Sequence, residues 1–237
     1  MNIQKLLSLQ RPTFCIVQIC GIKNFKPPEN FDHIEIPERP RLRYVDKVPT
    51  LPATVKPPKM QKRLRYMRGY EDIHNTLQLK QFGIIAEGGG RLKFGHFEVI
   101  RMTIGRKMDN TRMFALWRID PPWQPVTKRG QGMRLGGGKG PIDHYVTPIK
   151  AGRVIVEMGG KCTFEEVEPF LSDIAMKMPF KAKAVSQEML EEMEANEKWI
   201  EENNQNPYTM KYIIQNNIGG CHKWLSPVDF KYFGKHR

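Results

Sequence analysis

Eight prolines fall between positions 27 and 59, at Pro27, Pro28, Pro37, Pro40, Pro49, Pro52, Pro57 and Pro58. Each ring fixes φ and removes a backbone donor, so helix cannot propagate through this stretch and extended chain is favoured. Residues 29–59 are therefore expected to form an extended arm. Two readings stand side by side: a disordered linker, or an arm that folds onto RNA or onto neighbouring proteins. The hydrophobic core must come from residues beyond the arm, and with 40% hydrophobic residues in 237 the chain has enough material for one.

Upstream of the arm, residues 1–28 carry Lys5, Arg11, Lys23 and Lys26 among apolar side chains and no acid. That composition resembles a mitochondrial transit peptide. A secretory signal is the competing reading, but Arg11-Pro12 interrupts the apolar run and no small-residue cleavage site follows. The mature chain is accordingly expected in the mitochondrial matrix. No apolar run approaches the roughly 18 residues of a bilayer span, so no membrane span is expected.

The net charge of +13 points to a polyanionic partner, and its distribution sharpens the point. Residues 57–153 hold nineteen Lys/Arg against seven Asp/Glu, whereas residues 154–237 are slightly acidic. A soluble basic protein without a nucleic-acid partner would not need one such central block. The four cysteines (Cys15, Cys20, Cys162 and Cys221) form no C-x-x-C pair and have no histidine at metal-ligand spacing. Neither a disulfide framework nor a metal is expected, and no cofactor is implied.

Residues 60–185 carry globular patterning. Phe97, Ile100, Ile104 and Met108 recur at helical spacing, with Arg101, Arg106 and Lys107 off that stripe. Residues 112–119 read as a strand with Met113, Ala115, Trp117 and Ile119 on one face. Residues 142–149 and 153–158 read as a β-hairpin closed at Lys150, Ala151 and Gly152. A further helix opens at Thr163, with Glu166 completing a capping box. Its stripe is Phe164, Val167, Phe170, Leu171, Ile174 and Met178, and Pro179 stops it. Residues 186–203 predict an exposed, Glu-rich helix anchored by Met189, Met193 and Ile200. The aromatic tail, 207–237, lacks a period and is expected to dock on a surface.

The chemistry concentrates in residues 126–140, VTKRGQGMRLGGGKG, with six glycines and the cations Lys128, Arg129, Arg134 and Lys139. Glycines let a backbone approach phosphates closely, and the cations neutralise them. The phosphate-loop pattern fails, because Met133 and Gly140 stand where glycine and a hydroxyl residue belong. The dinucleotide pattern begun at Gly136 fails at Pro141. A loop threaded against structured nucleic acid fits the cations; a flexible loop without function is the plainer alternative. A second cluster comprises Lys59, Lys62, Arg63, Arg65 and Arg68, interleaved with Tyr66 and Tyr70, whose planes could stack on unpaired bases. By itself such a run can equally be a solvated face. Arg91 and Lys93 form a third cluster after the 88–90 glycine run. Catalytic readings fare poorly: His74, His96 and His144 sit near no nucleophile motif. The adjacent Asp143 and His144 should face opposite ways on a strand.

These segments resemble the universal large-subunit ribosomal protein L-sixteen family from about Lys62 to Val185. KRLRYMRG is similar to that family's basic N-terminal motif, and FGIIAEGGGRL to its glycine-bounded strand and turn. PVTKRGQGMRLGGGKGPIDHYVTPIKAGRVIVEMGG follows its most specific stretch, in order and nearly without gaps. The resemblance implies an α+β fold in which an antiparallel sheet packs on two helices as a two-layer sandwich. An extended N-terminal arm and a C-terminal extension (186–237) flank that domain of residues 60–185.

The resemblance further implies a structural, non-enzymatic role in the large ribosomal subunit. The place implied is near A-site tRNA and the peptidyl-transferase region. The implied partners are large-subunit mitochondrial rRNA, neighbouring mitochondrial ribosomal proteins and A-site tRNA. Arg134 and Lys139 match the family's loop cations, and Arg63, Arg65 and Arg68 match less closely. Lys62, Arg91, Lys93, Lys128 and Arg129 complete the expected RNA-binding set. Gly137 stands where family loops often carry Lys, and the helix near 97–107 is less cationic than the bacterial pattern. The Pro-rich arm, residues 190–237 and the acid-free N-terminus favour the mitochondrial form. An RNA chaperone or assembly factor remains the alternative among binding proteins, and a phosphate-ligand enzyme the alternative from another class.

Overall fold

A computed structural model of the chain describes residues 30, 31, 33–59 and 64–236. Residues 1–31 form one unit, of which Asn30 and Phe31 are described, and residues 32–237 form another. The transit-peptide expectation for 1–28 falls outside the described residues, as do Lys62 and Arg63.

In chain order the elements are β1 (Phe82–Ala86), β2 (Gly90–Lys93), α1 (Phe94–Lys107), β3 (Met113–Trp117), β4 (Gln124–Thr127) and β5 (Ile142–Ile149). Then come β6 (Val154–Gly160), α2 (Phe164–Met176), β7 (Ala182–Ser186), α3 (Gln187–Glu202), α4 (Met210–Gln215) and α5 (Pro227–Tyr232). One antiparallel sheet has the order β3-β6-β1-β7 and a second the order β2-β5-β4. α2 lies on β1 and β7, α1 packs against α2 and beside β2, and the result is an α+β fold.

The core forms where the sequence periods meet. β6, a run opening with Val154, Ile155 and Val156, is buried along its whole length between β1 and β3. β-branched chains suit that setting because their restricted χ1 packs well on a pleated surface. Helix α1 brings Phe97, Ile100 and Ile104 to it, and α2 brings Val167, Phe170, Leu171 and Ile174. Each such side chain contributes roughly 1.5–3 kcal/mol when fully buried. The polar exception is Glu157 of β6, fully buried. Its carboxylate accepts the N–H groups of Gln78 at 2.9 Å and Leu79 at 3.2 Å, and Arg118 Nε lies 3.0 Å away. An unpaired carboxylate there would be costly; paired, it fastens the 78–79 segment across the sheet.

Four expectations need correction. First, β5 and β6 do not pair, because they belong to different sheets. The turn between them is held from outside: Gly152 N–H donates to Ala86 O at 2.6 Å, and Ala151 O accepts Glu71 N–H at 2.8 Å. Gly152 has φ +82°, and a Cβ there would lie 2.2 Å from the Tyr70 ring. A bend of this kind moves the chain from one sheet to the other, and the strand pattern on either side is the same as a hairpin's.

Second, Thr163 is the N-cap of α2, but its hydroxyl makes no capping bond. Glu166 lies instead 3.8 Å from Arg112, ahead of β3. Third, α3 has no buried residue, and Met193 and Ile200 are exposed. The helix leaves the body after β7 and meets the chain again through its acids, with Glu197 Oε1 2.7 Å from Lys235 Nζ. Fourth, Tyr70 is no open stacking platform. Its ring sits 5.0 Å from that of His236 and fills the space beside Gly152, and burial raises its hydroxyl pKa. The tail does dock. Tyr232 covers Gly69 and donates its hydroxyl to Tyr70 O at 3.3 Å, while Gly69 N–H donates to His236 O at 2.9 Å.

Part of the arm packs on the chain's own domain, a course that neither reading of the arm anticipated. Pro40 O accepts the N–H of Ala115 at 2.9 Å, and Arg43 O accepts Trp117 Nε1–H at 2.8 Å. Leu42 and Val45 join the main core, at 7% and 8% exposure. The arm therefore lies along β3, the edge strand of the larger sheet. We predict that Leu42→Ala lowers unfolding free energy by about 2–3 kcal/mol in chemical denaturation, as for a buried leucine. An unchanged midpoint would mean that the arm contributes nothing to the core.

Candidate nucleic-acid interface

The 126–140 glycine-and-cation segment is the connection of a β-hairpin. β4 and β5 pair from Gln124↔Val146 to Thr127↔Ile142, and the chain between them leaves the sheet as a protruding loop. Residues 128–139 are all exposed, Met133 at 69% and Leu135 at 95%. Gly136, Gly137 and Gly138 all have positive φ, a conformation that L side chains rarely adopt, and no atom crowds the space a Cβ would fill. Their backbone is thus open to close approach by a ligand. Together with Lys128 and Arg129, the loop glycines line a hollow of about 380 Å³.

The loop is pinned at its root and free at its tip. Arg129 Nη2 donates to Gly136 O at 2.7 Å, and Lys128 N–H donates to Pro141 O at 3.1 Å. Lys139 Nζ donates to Lys59 O at 2.7 Å while Lys59 Nζ donates to Lys139 O at 3.2 Å. Gly140 is required at the neck, because a Cβ would come within 2.7 Å of Lys128 O. Arg134 stands between exposed Met133 and Leu135, and forms no ion pair among the described residues. Two of the four loop cations therefore have a structural as well as an electrostatic task.

The other clusters gather around the same sheet. Lys59 joins the first basic cluster to the loop, and Tyr66 meets Trp123, just before β4, ring edge to ring face at 5.6 Å. Arg65 lies 4.8 Å over the Tyr66 ring and donates to its hydroxyl at 2.8 Å; Arg68 is exposed nearby in sequence. Arg91 and Lys93 lie on β2, which pairs with β5 at Arg91↔Pro148 and Lys93↔Val146. Lys93 is exposed and Arg91 half-buried. All the expected site residues that are described thus belong to the three-stranded sheet, its loop or the segment packed against it.

Other members of the basic block serve the fold. Arg118 is committed to Glu157, Arg101 to Glu98 at 2.7 Å, and Arg153 lies between Glu71 at 3.7 Å and Asp120 at 3.6 Å. Sequence could not sort these from surface cations. Asp143 and His144 differ from expectation too: the ladder skips Asp143 between Thr127↔Ile142 and Val126↔His144. That bulge brings the two side chains together, with His144 Nδ1 2.7 Å from Asp143 Oδ2.

A family model of ribosomal protein L16p/L10e matches residues 52–185, more than half the chain and the whole of the sheet-and-loop region. The chain belongs to this family. It is a ribosomal protein, a structural component with rRNA and other ribosomal proteins as partners, and the family is not one of enzymes. Among the described residues no helix is long and apolar enough to cross a membrane.

The hydrogen bond with His144 holds the Asp143 carboxyl below the usual carboxylate range, helped by Lys128 and Lys93 and opposed by slight burial. A depressed carboxyl pKa stabilises the fold above its ordinary value and loses that effect as pH falls through the lowered one. In His144→Ala the Asp143 titration, followed by NMR, should move up toward the ordinary carboxylate value. An identical titration curve would show that the pair does not exist in solution.

Proposed function

We propose that this protein is a component of the mitochondrial large ribosomal subunit, imported through residues 1–28 and resident in the matrix. There it binds large-subunit rRNA near the A-site tRNA and the peptidyl-transferase region. The observation that carries the reading is the protruding, glycine-opened loop between β4 and β5, which stands on a sheet already lined with Arg91 and Lys93. Its cations displace counterions from folded RNA, and its narrow neck lets it enter a crevice that a globular surface could not. The readout is of RNA shape and phosphate position, since the loop offers few side chains able to read a base edge. Mitochondrial residence rests on the acid-free N-terminus and on the arm and tail that extend beyond the family match.

Within the loop the roles divide. Arg134, at the tip, forms neither an ion pair nor a bond that pins the loop among the described residues, and its guanidinium fork suits phosphate oxygens. Lys139 and Arg129 hold the loop's path and add charge at its base.

Mitochondrial lysate separated on a high-salt sucrose gradient tests the reading. The chain should sediment with the large subunit. Release to the top of the gradient would mark it as an exchanging assembly factor or RNA chaperone, and recovery only with cytosolic ribosomes would defeat the mitochondrial assignment. Arg134→Ala with Lys139→Ala should impair large-subunit maturation or organellar translation. The isolated double variant should lose no more than about 1 kcal/mol of stability, since both residues are exposed. Normal subunit profiles together with normal translation in that variant would remove the loop from the mechanism.

A further inference from the structure

Residues 39–43 read Arg-Pro-Arg-Leu-Arg and precede the region that the family model matches. The backbone there is fixed in an extended course along β3 by the bonds from Ala115 N–H to Pro40 O and from Trp117 Nε1–H to Arg43 O. Leu42 is turned into the core. Alternation in an extended chain then sends Arg39, Arg41 and Arg43 to the opposite, outer side, about 6.6 Å apart from one to the next. All three are exposed.

None of the three forms an ion pair among the described residues, in contrast to Arg101, Arg112, Arg118 and Arg153. Arg41 Nε donates to Asn110 Oδ1 at 3.0 Å, which orients its guanidinium without neutralising it. The three arginines, with Leu116 and Trp117, line a groove of about 650 Å³, and Glu38 is the carboxylate in its lining.

We propose that Arg39, Arg41 and Arg43 form a second phosphate-binding strip, taking the sugar–phosphate backbone of an RNA strand along the outer side of the arm. The strip adds to the loop's proposed role and rests on the same reading of the partner as RNA. It occupies a different surface: the loop grows from the three-stranded sheet, the strip from the edge of the four-stranded one. Evenly spaced guanidinium forks match a polymer of evenly spaced phosphates, and each contact adds counterion release. An acidic polypeptide is the weaker match, because the edge of β3 on which a peptide could add as a strand already accepts the arm. Sequence charge counts conceal the strip, since residues 29–56 hold equal numbers of acids and bases. In the fold, Glu38 shares the groove's lining with the three arginines, while Glu35 and Asp46 lie outside it.

The test measures binding of the purified full chain to oligouridylate and to a short RNA duplex over a range of salt. Replacing all three arginines by Gln should lower the log–log salt slope by about 2–3, at roughly 0.7–0.9 per phosphate, and weaken low-salt affinity by about tenfold or more. The matched Arg→Lys triple should keep the slope. Arg39→Gln alone, which breaks no intramolecular bond or ion pair seen in the fold, should remove about a third of the slope. That single variant covers the case of a triple that folds poorly. The loss should add to that of the Arg134/Lys139 double variant. Wild-type slope and affinity in the Gln variants, with the loop variant still impaired, would overturn the strip and leave the loop's role standing. A wild-type chain indifferent to both RNAs would overturn both, and displacement of RNA by oligoglutamate of equal charge would replace RNA by an acidic polypeptide at the strip.

Discussion

The bend at residues 150–152 governs the rest of the architecture. It takes the chain out of β5, in the basic sheet, and delivers it to β6, inside the core sheet. The bend survives because Gly152 adopts positive φ where the Tyr70 ring leaves no room for a Cβ, and because β1 and the 70–71 segment supply its hydrogen bonds. Without it, β5 and β6 would close as a hairpin, and one sheet would have to be both fully buried and strongly cationic. Desolvating that many charges would cost far more than the strand pairing returns. Dividing the strands resolves the conflict.

That division explains how one central block of charge serves two purposes. On the core side, Arg118 and Arg153 are matched with carboxylates of other segments, and Arg101 with Glu98 on its own helix. On the other sheet, Lys93, Lys128, Arg134 and the cations beside them stay exposed. A ribosomal protein needs both halves: a core stable enough to hold shape and a face whose charge is neutralised by its partner rather than by itself. The loop adds reach, and its glycines keep its backbone bare enough for intimate approach to phosphate.

The terminal extensions treat the domain as a surface to build on. The arm gives Leu42 and Val45 to the core and lies along β3; the tail brings Tyr232 and His236 against Gly69 and Tyr70. Both cover places where the domain alone would expose backbone or ring edges. The acidic helix α3 stays outside this packing and is drawn back through Lys235.

The sequence by itself determined the stripes of α1 and α2 and the identity of the exposed loop, and the α+β class came only through the family resemblance that those segments carry. Periodicity, glycine content and unbroken charge are properties of neighbouring residues, and neighbouring residues are what a sequence displays. The tertiary structure alone decided which arginines are partnered inside the protein, that β5 and β6 part company, and that the bulge at Asp143 turns its side chain toward His144. It also decided that Leu42 and Val45 of the arm enter the core while Arg39, Arg41 and Arg43 stay exposed. Each of these depends on a contact between residues far apart in the chain, or on a one-residue shift in register, and neither leaves a mark in local pattern.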